Sequence, residues 1–399
     1  MECSTPTFDV NVDAAGFVVD LESLYAALAR LHDKRKARGV RYALVTVLTY
    51  LVLAKLSGQD SLSGIADWVR LRQEVLMQAF PLKKWRAPCA NTYRNILDHV
   101  IDIDALEQVV CTFFAHQPDA GYSLVIALDG KTLRGVIRSD HLHGQHLLAA
   151  YLPAEGWVLF QVEVESKENE ISAAPRVLKK LDLRGKIVTG DAMFAQRELS
   201  LQIIAAGGDY VWTVKDNQAT LRQDIELLFQ PEKTVKGFSA GVTDFRTAQT
   251  IEKNHGRLER RTLTVSAALK EHLNWPGAEQ VFKLERYFER TKDHHVTHEV
   301  TYGITSLSAR DVTADELLSI VRSHWGIENG LHYRRDVTLH EDAAHLKCGQ
   351  ASHALATLNN LILGVVLRLG WTNLAEARRY FDARFDQAKK VILQPLADF

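Results

Sequence analysis

The spacing of apolar residues changes character once along the chain, near the short polar break Gln117-Pro-Asp-Ala-Gly-Tyr122. Before it, segments 41–57, 61–79, 91–100 and 103–116 carry apolar side chains at three- and four-residue intervals, the period of a helix face. An all-helical N-terminal lobe over residues 1–118 is expected. After the break, Ser123-Leu-Val-Ile-Ala-Leu128 is a continuous apolar run ending in Asp129-Gly130, which predicts a buried strand followed by a turn. Segments 146–152 and 157–165 read as strands on either side of Pro153-Ala-Glu-Gly156. Helical spacing over 170–181 and 196–206 then alternates with strand-like runs at 186–191 and 209–215. Three leading strands followed by this alternation predict an α/β fold with a mixed sheet, its parallel part covered by helices.

From residue 216 to about 311 a helix near 221–229 and strand-like runs at 258–265, 280–289 and 297–306 predict a largely β insertion. Thr313-Ala-Asp-Glu316 then fits a capping box, in which the Thr hydroxyl and Glu carboxylate satisfy free amides at a helix start. The helix that follows runs through Glu328, and Gly326 and Gly330 each weaken it by about 1 kcal/mol relative to Ala. Such glycines mark close approach to another backbone or to a ligand. The expected organisation is a core unit over 119–350, interrupted by the insertion at about 216–311, and a helical C-terminal segment over 351–399.

With 46% apolar residues the chain can bury a sizeable core and carry accessory lobes. Four widely spaced cysteines, Cys3, Cys89, Cys111 and Cys348, suggest neither a disulfide framework nor a zinc finger, so a reducing, cytoplasmic setting is expected. The most apolar stretch, residues 42–54, falls short of the ~20 residues a membrane span needs and reads as a buried helix. Met1-Glu-Cys-Ser-Thr-Pro6 does not resemble a secretion signal. The formal net charge of −1 leaves no global footprint for nucleic acid, so any such contact has to come from local basic runs such as residues 34–38 and 83–86.

Candidate chemistry sits at the ends of strands. Asp129 and Asp191 both follow apolar strand runs, and functional groups of open α/β sheets collect at the C-terminal ends of strands. Converging carboxylates suit hard divalent cations, which take oxygen ligands. A third carboxylate, Glu328, lies at the edge of a buried helical stripe, with Asp336, Glu341 and Asp342 as rivals by spacing alone. His332 and Arg335 follow Glu328 by one and two turns on the same face. Trp212, Trp325 and Tyr333 are expected to pack in the core rather than to stack on bases.

Five words of the sequence carry a family resemblance. Leu128-Asp-Gly-Lys-Thr-Leu-Arg-Gly135, Ser166-Lys-Glu-Asn-Glu-Ile171, Val188-Thr-Gly-Asp-Ala192, Gly208-Asp-Tyr-Val211 with Lys215-Asp-Asn-Gln218, and His324-Trp-Gly-Ile-Glu-Asn-Gly-Leu-His332 with Glu341-Asp342 occur in one order over most of the chain. They resemble the DDE transposases of bacterial insertion sequences, in the branch called H-repeat-associated proteins. The resemblance implies a ribonuclease-H-like core in which Asp129, Asp191 and Glu328 are the metal-binding acids, with two Mg²⁺ or Mn²⁺ ions per site. It also implies double-stranded DNA as substrate, both terminal inverted repeats and target, with a homodimer in the synapse. Where related proteins carry Tyr, Arg and Lys around the Glu, this chain has Val321, His324 and Arg335, and Arg322 is a candidate for the missing Arg. Lys131, Arg134, Lys215, His255, Arg257, Arg322, His332, Arg335 and Lys347 are the candidate DNA contacts. Two other readings stand beside the transposase: an inactive DNA-binding copy, and a host nuclease of the same fold.

Overall fold

The computed structural model describes residues 10–12, 18–20, 23–80, 86–115, 124–133, 144–165, 168–230, 244–254, 256–343 and 350–396. The N-terminal lobe begins with two short antiparallel strands, β1 (Val10–Val12) and β2 (Val18–Asp20), and is helical from there on. Its helices are α1 (Leu24–Ala29), α2 (Leu44–Leu56), α3 (Leu62–Leu71), α4 (Gln73–Ala79), α5 (Ala90–His99) and α6 (Ile103–Ala115). The lobe is therefore not all-helical. The helix expected over 61–79 is also divided: Arg72 leaves helical geometry, and its side chain stacks on Trp68 and pairs with Asp382 at 2.8 Å. No period in the sequence signals that tertiary contact.

The central sheet contains β3 (Val125–Leu133), β4 (Gln145–Leu152) and β5 (Trp157–Val164), then β6 (Ile187–Gly190) and β7 (Asp209–Val214). Helix α7 (Glu170–Leu178) precedes β6, α8 (Arg197–Ala205) precedes β7, and α9 (Ala219–Leu228) follows it. The insertion supplies β8 (Arg246–Asn254), β9 (Arg257–Ser266), β10 (Gln280–Arg290) and β11 (Val296–Thr305). All nine strands from β3 onward form one sheet, in the order β5-β4-β3-β6-β7-β11-β10-β9-β8. β4 pairs antiparallel with both β3 and β5, while β3, β6 and β7 are parallel. That is the ribonuclease-H-like arrangement. The insertion extends this sheet through the antiparallel pairing of β11 with β7 rather than folding apart from it.

Two details differ from the expectation. Asp129-Gly130 is no turn: β3 continues to Leu133 because β4 pairs with it over residues 127–133, beyond the point where β6 stops. Edge strand β8 was not expected, since between Arg246 and Asn254 only Ala248 and Ile251 are apolar.

Helix α10 (Ala314–His324) packs against the insertion, sharing a buried cluster with Val211, Leu263, Phe282 and Leu284. The C-terminal segment forms α11 (Ala351–Arg368), α12 (Leu374–Ala383) and α13 (Phe385–Leu393). From Ala351 to Val366 every residue of α11 is buried, as expected for a helix surrounded by protein. It contacts α2, α5, α6, α12 and β5, so the N-terminal lobe, sheet and C-terminal helices share one continuous core. Among the described residues no helix is long and apolar enough to cross a membrane.

Candidate active site

β3 and β6 are parallel neighbours with Ala127 opposite Thr189. Side chains alternate along a strand, so Asp129 and Asp191, each two residues further on, project from the same face at adjacent strand positions. Asp191 lies just beyond the end of β6, where one carboxylate oxygen accepts from the Met193 amide at 2.9 Å and caps a short 3₁₀ turn, residues 192–194. Its side chain is exposed. Asp129 is half-buried; Oδ1 accepts from the Gly130 amide at 3.0 Å, and Oδ2 lies 3.0 Å from His332 Nε2.

The third element is the helix that starts at the capping box. Thr313 Oγ1 accepts from the Glu316 amide at 3.2 Å, and the Glu316 carboxylate accepts from the Thr313 amide at 2.8 Å, as the sequence predicts. The chain keeps winding past His324, but residues 328–332 and 334–338 adopt wider π turns, a geometry common at functional sites. His324 reaches the sheet, its Nδ1 lying 3.2 Å from Thr189 Oγ1. Burial lowers the His324 pKa, while the negative charges of Asp129 and Asp191 act in the opposite sense. The imidazole therefore neighbours both acids and is held toward its neutral form by desolvation.

Glu328 is exposed and stands four residues after His324 and four before His332. Among the described residues no three His, Cys, Asp or Glu side chains are gathered tightly enough to enclose an ion. Two rivals of Glu328 are engaged elsewhere. Asp336 pairs with Lys131 at 2.6 Å, and buried Glu341 binds Arg335 at 2.7 Å and Asn359 at 2.8 Å. Asp342 is half-buried.

Several expected DNA contacts take other roles. Lys131 is buried and neutralised by Asp336, and Arg335 has no exposure at all. A buried charge needs its partner close by, so neither is free to meet a phosphate. Arg322 turns away to form an ion pair with Glu252 of β8. His332 faces Asp129 instead of solvent. Lys215 and Arg257 are exposed, the latter over the Phe288 ring. Arg134, His255 and Lys347 lie outside the described residues. Trp212 is buried as expected, stacked on Tyr210, whereas Tyr333 is 59% exposed and does not belong to the core.

Sequence reasoning did not assign His324 or Thr189 to the site. The signal for His324 was present in the four-residue spacing of His324, Glu328 and His332. On the opposite sheet face, Gly130 touches a second polar pair: a Cβ there would lie 2.3 Å from the Glu170 carboxylate and 2.6 Å from His146 Nε2. His146 and Glu170 are themselves 2.7 Å apart.

Comparison with known proteins identifies the family. The family model described as the transposase DDE domain matches residues 121–364, and a second, described as DDE_Tnp_1-associated, matches residues 25–114. The chain is 29% identical over 354 residues to "Putative transposase YncI" of Escherichia coli O157:H7, covering 87% of this chain and 88% of that one. It is 27% identical over 357 residues to "H repeat-associated putative transposase YhhI" of Escherichia coli K12, covering 87% and 91%. A cryo-EM structure of the piggyBac transposase synaptic complex with hairpin DNA aligns with a TM-score of 0.39 and 11% identity, over 94% of this chain and 76% of that one.

Proposed function

The chain belongs to the transposase DDE domain family, and from that premise we propose that it cuts DNA at the ends of a mobile element and joins those ends to target DNA. The observation that carries this reading is the placement of Asp129 and Asp191 on adjacent parallel strands, beside His324, on the face reached by the helical segment that bears Glu328.

The donor set fits divalent metal ions: carboxylate oxygens of Asp129, Asp191 and Glu328, hard ligands of the kind Mg²⁺ and Mn²⁺ prefer. Asp129, Asp191 and Glu328 would hold such ions, which would supply activation of the attacking oxygen and stabilisation of the leaving one. Water attacks the phosphorus at the element's end; the P–O3′ bond breaks, leaving a 3′-hydroxyl on the element and a 5′-phosphate on the flank. That hydroxyl then attacks a target phosphodiester, forming a new P–O3′ bond as the target's own 3′-oxygen departs. Exposed Lys215 and Arg257 are candidates for holding the DNA backbone. We assign element-end binding to the helical lobe within residues 1–118 and the pairing of two ends to a dimer.

The test incubates the purified protein and a labelled element end with Mg²⁺. Wild type is expected to nick the end, and Asp191→Ala and Glu328→Ala each to lose about a hundredfold or more in rate, the scale of removing a central electrostatic group. Absence of cleavage by wild type, or equal cleavage by both variants, overturns the assignment. Lys215→Ala is expected to weaken DNA binding and to reduce the slope of log affinity against log salt by about 0.9, one phosphate contact. An unchanged slope removes Lys215 from the interface.

A further inference from the structure

Two histidines of the Glu328-bearing segment reach the two strands that carry the aspartates. His324 touches β6 through Thr189, 3.2 Å from its Nδ1, and His332 touches β3 through Asp129, 3.0 Å from its Nε2. Glu328 lies midway between them, four residues from each. We propose that His324 and His332 are positioning residues, a two-point clamp that holds the segment across β3 and β6 so that the Glu328 carboxylate stands over the gap between Asp129 and Asp191. The clamp rests on the active-site reading above and adds to it the residues that deliver the third acid.

The winding of the segment supports this. In an α-helix four residues turn about 400°, so each step of four overshoots a full turn by about 40°. A chain that stayed α-helical from 324 to 332 would carry His332 about 80° away from the direction of His324. Residues 328–332 instead form a wider π turn, which rotates each residue by less than an α-helix does. Both imidazoles meet the same sheet face, His324 at Thr189 and His332 at Asp129. The π turn lies in the stretch that joins the two contacts. Both rings are mostly shielded from water: His332 is 8% exposed, and burial dominates the environment of His324. Long, solvated side chains would hold the segment less rigidly, because more rotamer freedom would have to be lost.

The rest of the segment is anchored separately. Arg322 pairs with Glu252 of the insertion, and Arg335 pairs with Glu341. Those contacts set where the segment lies, together with the packing of Leu317, Leu318 and Val321 of α10 in one cluster with Ile187 of β6; the two histidines and the Lys131–Asp336 pair add the polar contacts to the aspartate-bearing strands.

The experiment measures binding of Mn²⁺ alone to the full chain, by the loss of the free-ion electron paramagnetic resonance signal, with circular dichroism confirming the fold of each variant. His324→Ala and His332→Ala are each expected to raise the Mn²⁺ dissociation constant about tenfold or more, the usual effect of removing a group that orients a ligand. His324→Asn places an amide nitrogen near the Nδ1 position and His332→Gln places one near Nε2; both are expected to recover binding to within about threefold of wild type. Thr189→Val removes the partner of His324 without altering the helical segment, so it reports on the clamp even where an alanine variant does not fold. Alanine and valine variants that bind Mn²⁺ as wild type does overturn the clamp, as do conservative variants no better than alanine. Asp191→Asn separates the two levels: if it leaves Mn²⁺ binding unchanged, the active-site reading falls and takes the clamp with it, whereas a loss there with normal binding in the histidine variants sinks the clamp alone.

Discussion

A single absent methyl group beside Asp129 illustrates how tightly the site is supported. Gly130 faces away from the acids, and a Cβ on it would fall 2.3 Å from the Glu170 carboxyl carbon. Gly130→Ala must therefore push back either Glu170, with its 2.7 Å contact to His146, or strand β3 itself. Overpacking of this kind costs about 1–3 kcal/mol, and a shift of β3 would move Asp129 by the same rearrangement. Denaturant unfolding should show that loss together with slower DNA cleavage. Adding Glu170→Ala should restore part of the stability of Gly130→Ala; strict additivity in the double-mutant cycle would show that the contact is not the cause.

At the scale of elements, helix α10 is started by local chemistry and finished by tertiary contacts. The Thr313–Glu316 box fixes its first turn, and Thr313→Ala should lower unfolding stability by about 1 kcal/mol. DNA cleavage per folded molecule should change little, because the end of the segment that bears Glu328 is held by β3 and β6 rather than by the cap. A large fall in cleavage with intact folding would mean that the cap sets the position of Glu328. The capping box, the strand order through β7 and most helix positions were legible in the sequence, because local periodicity and capping chemistry produce them. The π turns were not. A wider turn follows from the contacts the segment makes, and nothing in the order of residues 324–338 requires it.

The whole molecule is fastened where its three sequence regions meet. Lys55 of α2 is almost fully buried, 3.8 Å from Asp60, and Asp60 binds Arg378 of α12 at 2.6 Å. Arg378 also donates to the carbonyl of Thr338 at 2.6 Å, which ties the lobe and the C-terminal helices to the segment beyond Glu328. Burial pushes the Lys55 pKa down from 10.5 to about 8; Asp60 and Glu341 oppose that shift and Arg378 reinforces it. Below pH 8 the lysine is protonated in both folded and unfolded chains, and the folded state bears the cost of burying the charge. Between about 8 and 10.5 the unfolded chain binds more protons, so the contribution of Lys55 to stability rises with pH. Wild type should therefore gain on Lys55→Met as pH is raised from 8 to 10, with a slope of up to about 1.4 kcal/mol per pH unit. A difference that does not vary over that window would show that Lys55 stays charged when buried.

The sequence by itself determined the fold class and the order of strands and helices from β3 to β7, and singled out Asp129, Asp191 and Glu328 as candidates, because alternation, helical spacing and family wording are all written in local order. It did not determine what the cations near the acids do. Lys131, Arg322 and Arg335 carry the charge expected of phosphate contacts, yet each meets a carboxylate instead: Asp336 and Glu252, both distant in sequence, and Glu341, six residues on. Only the tertiary structure brings those partners together, and a charge taken out of water is held by whatever opposite charge the fold places beside it. The same holds for the site. Asp129 and Asp191 are neighbours because β3 and β6 pair in parallel, as in Val125 opposite Ile187, and His324 and His332 join them through contacts with Thr189 and Asp129.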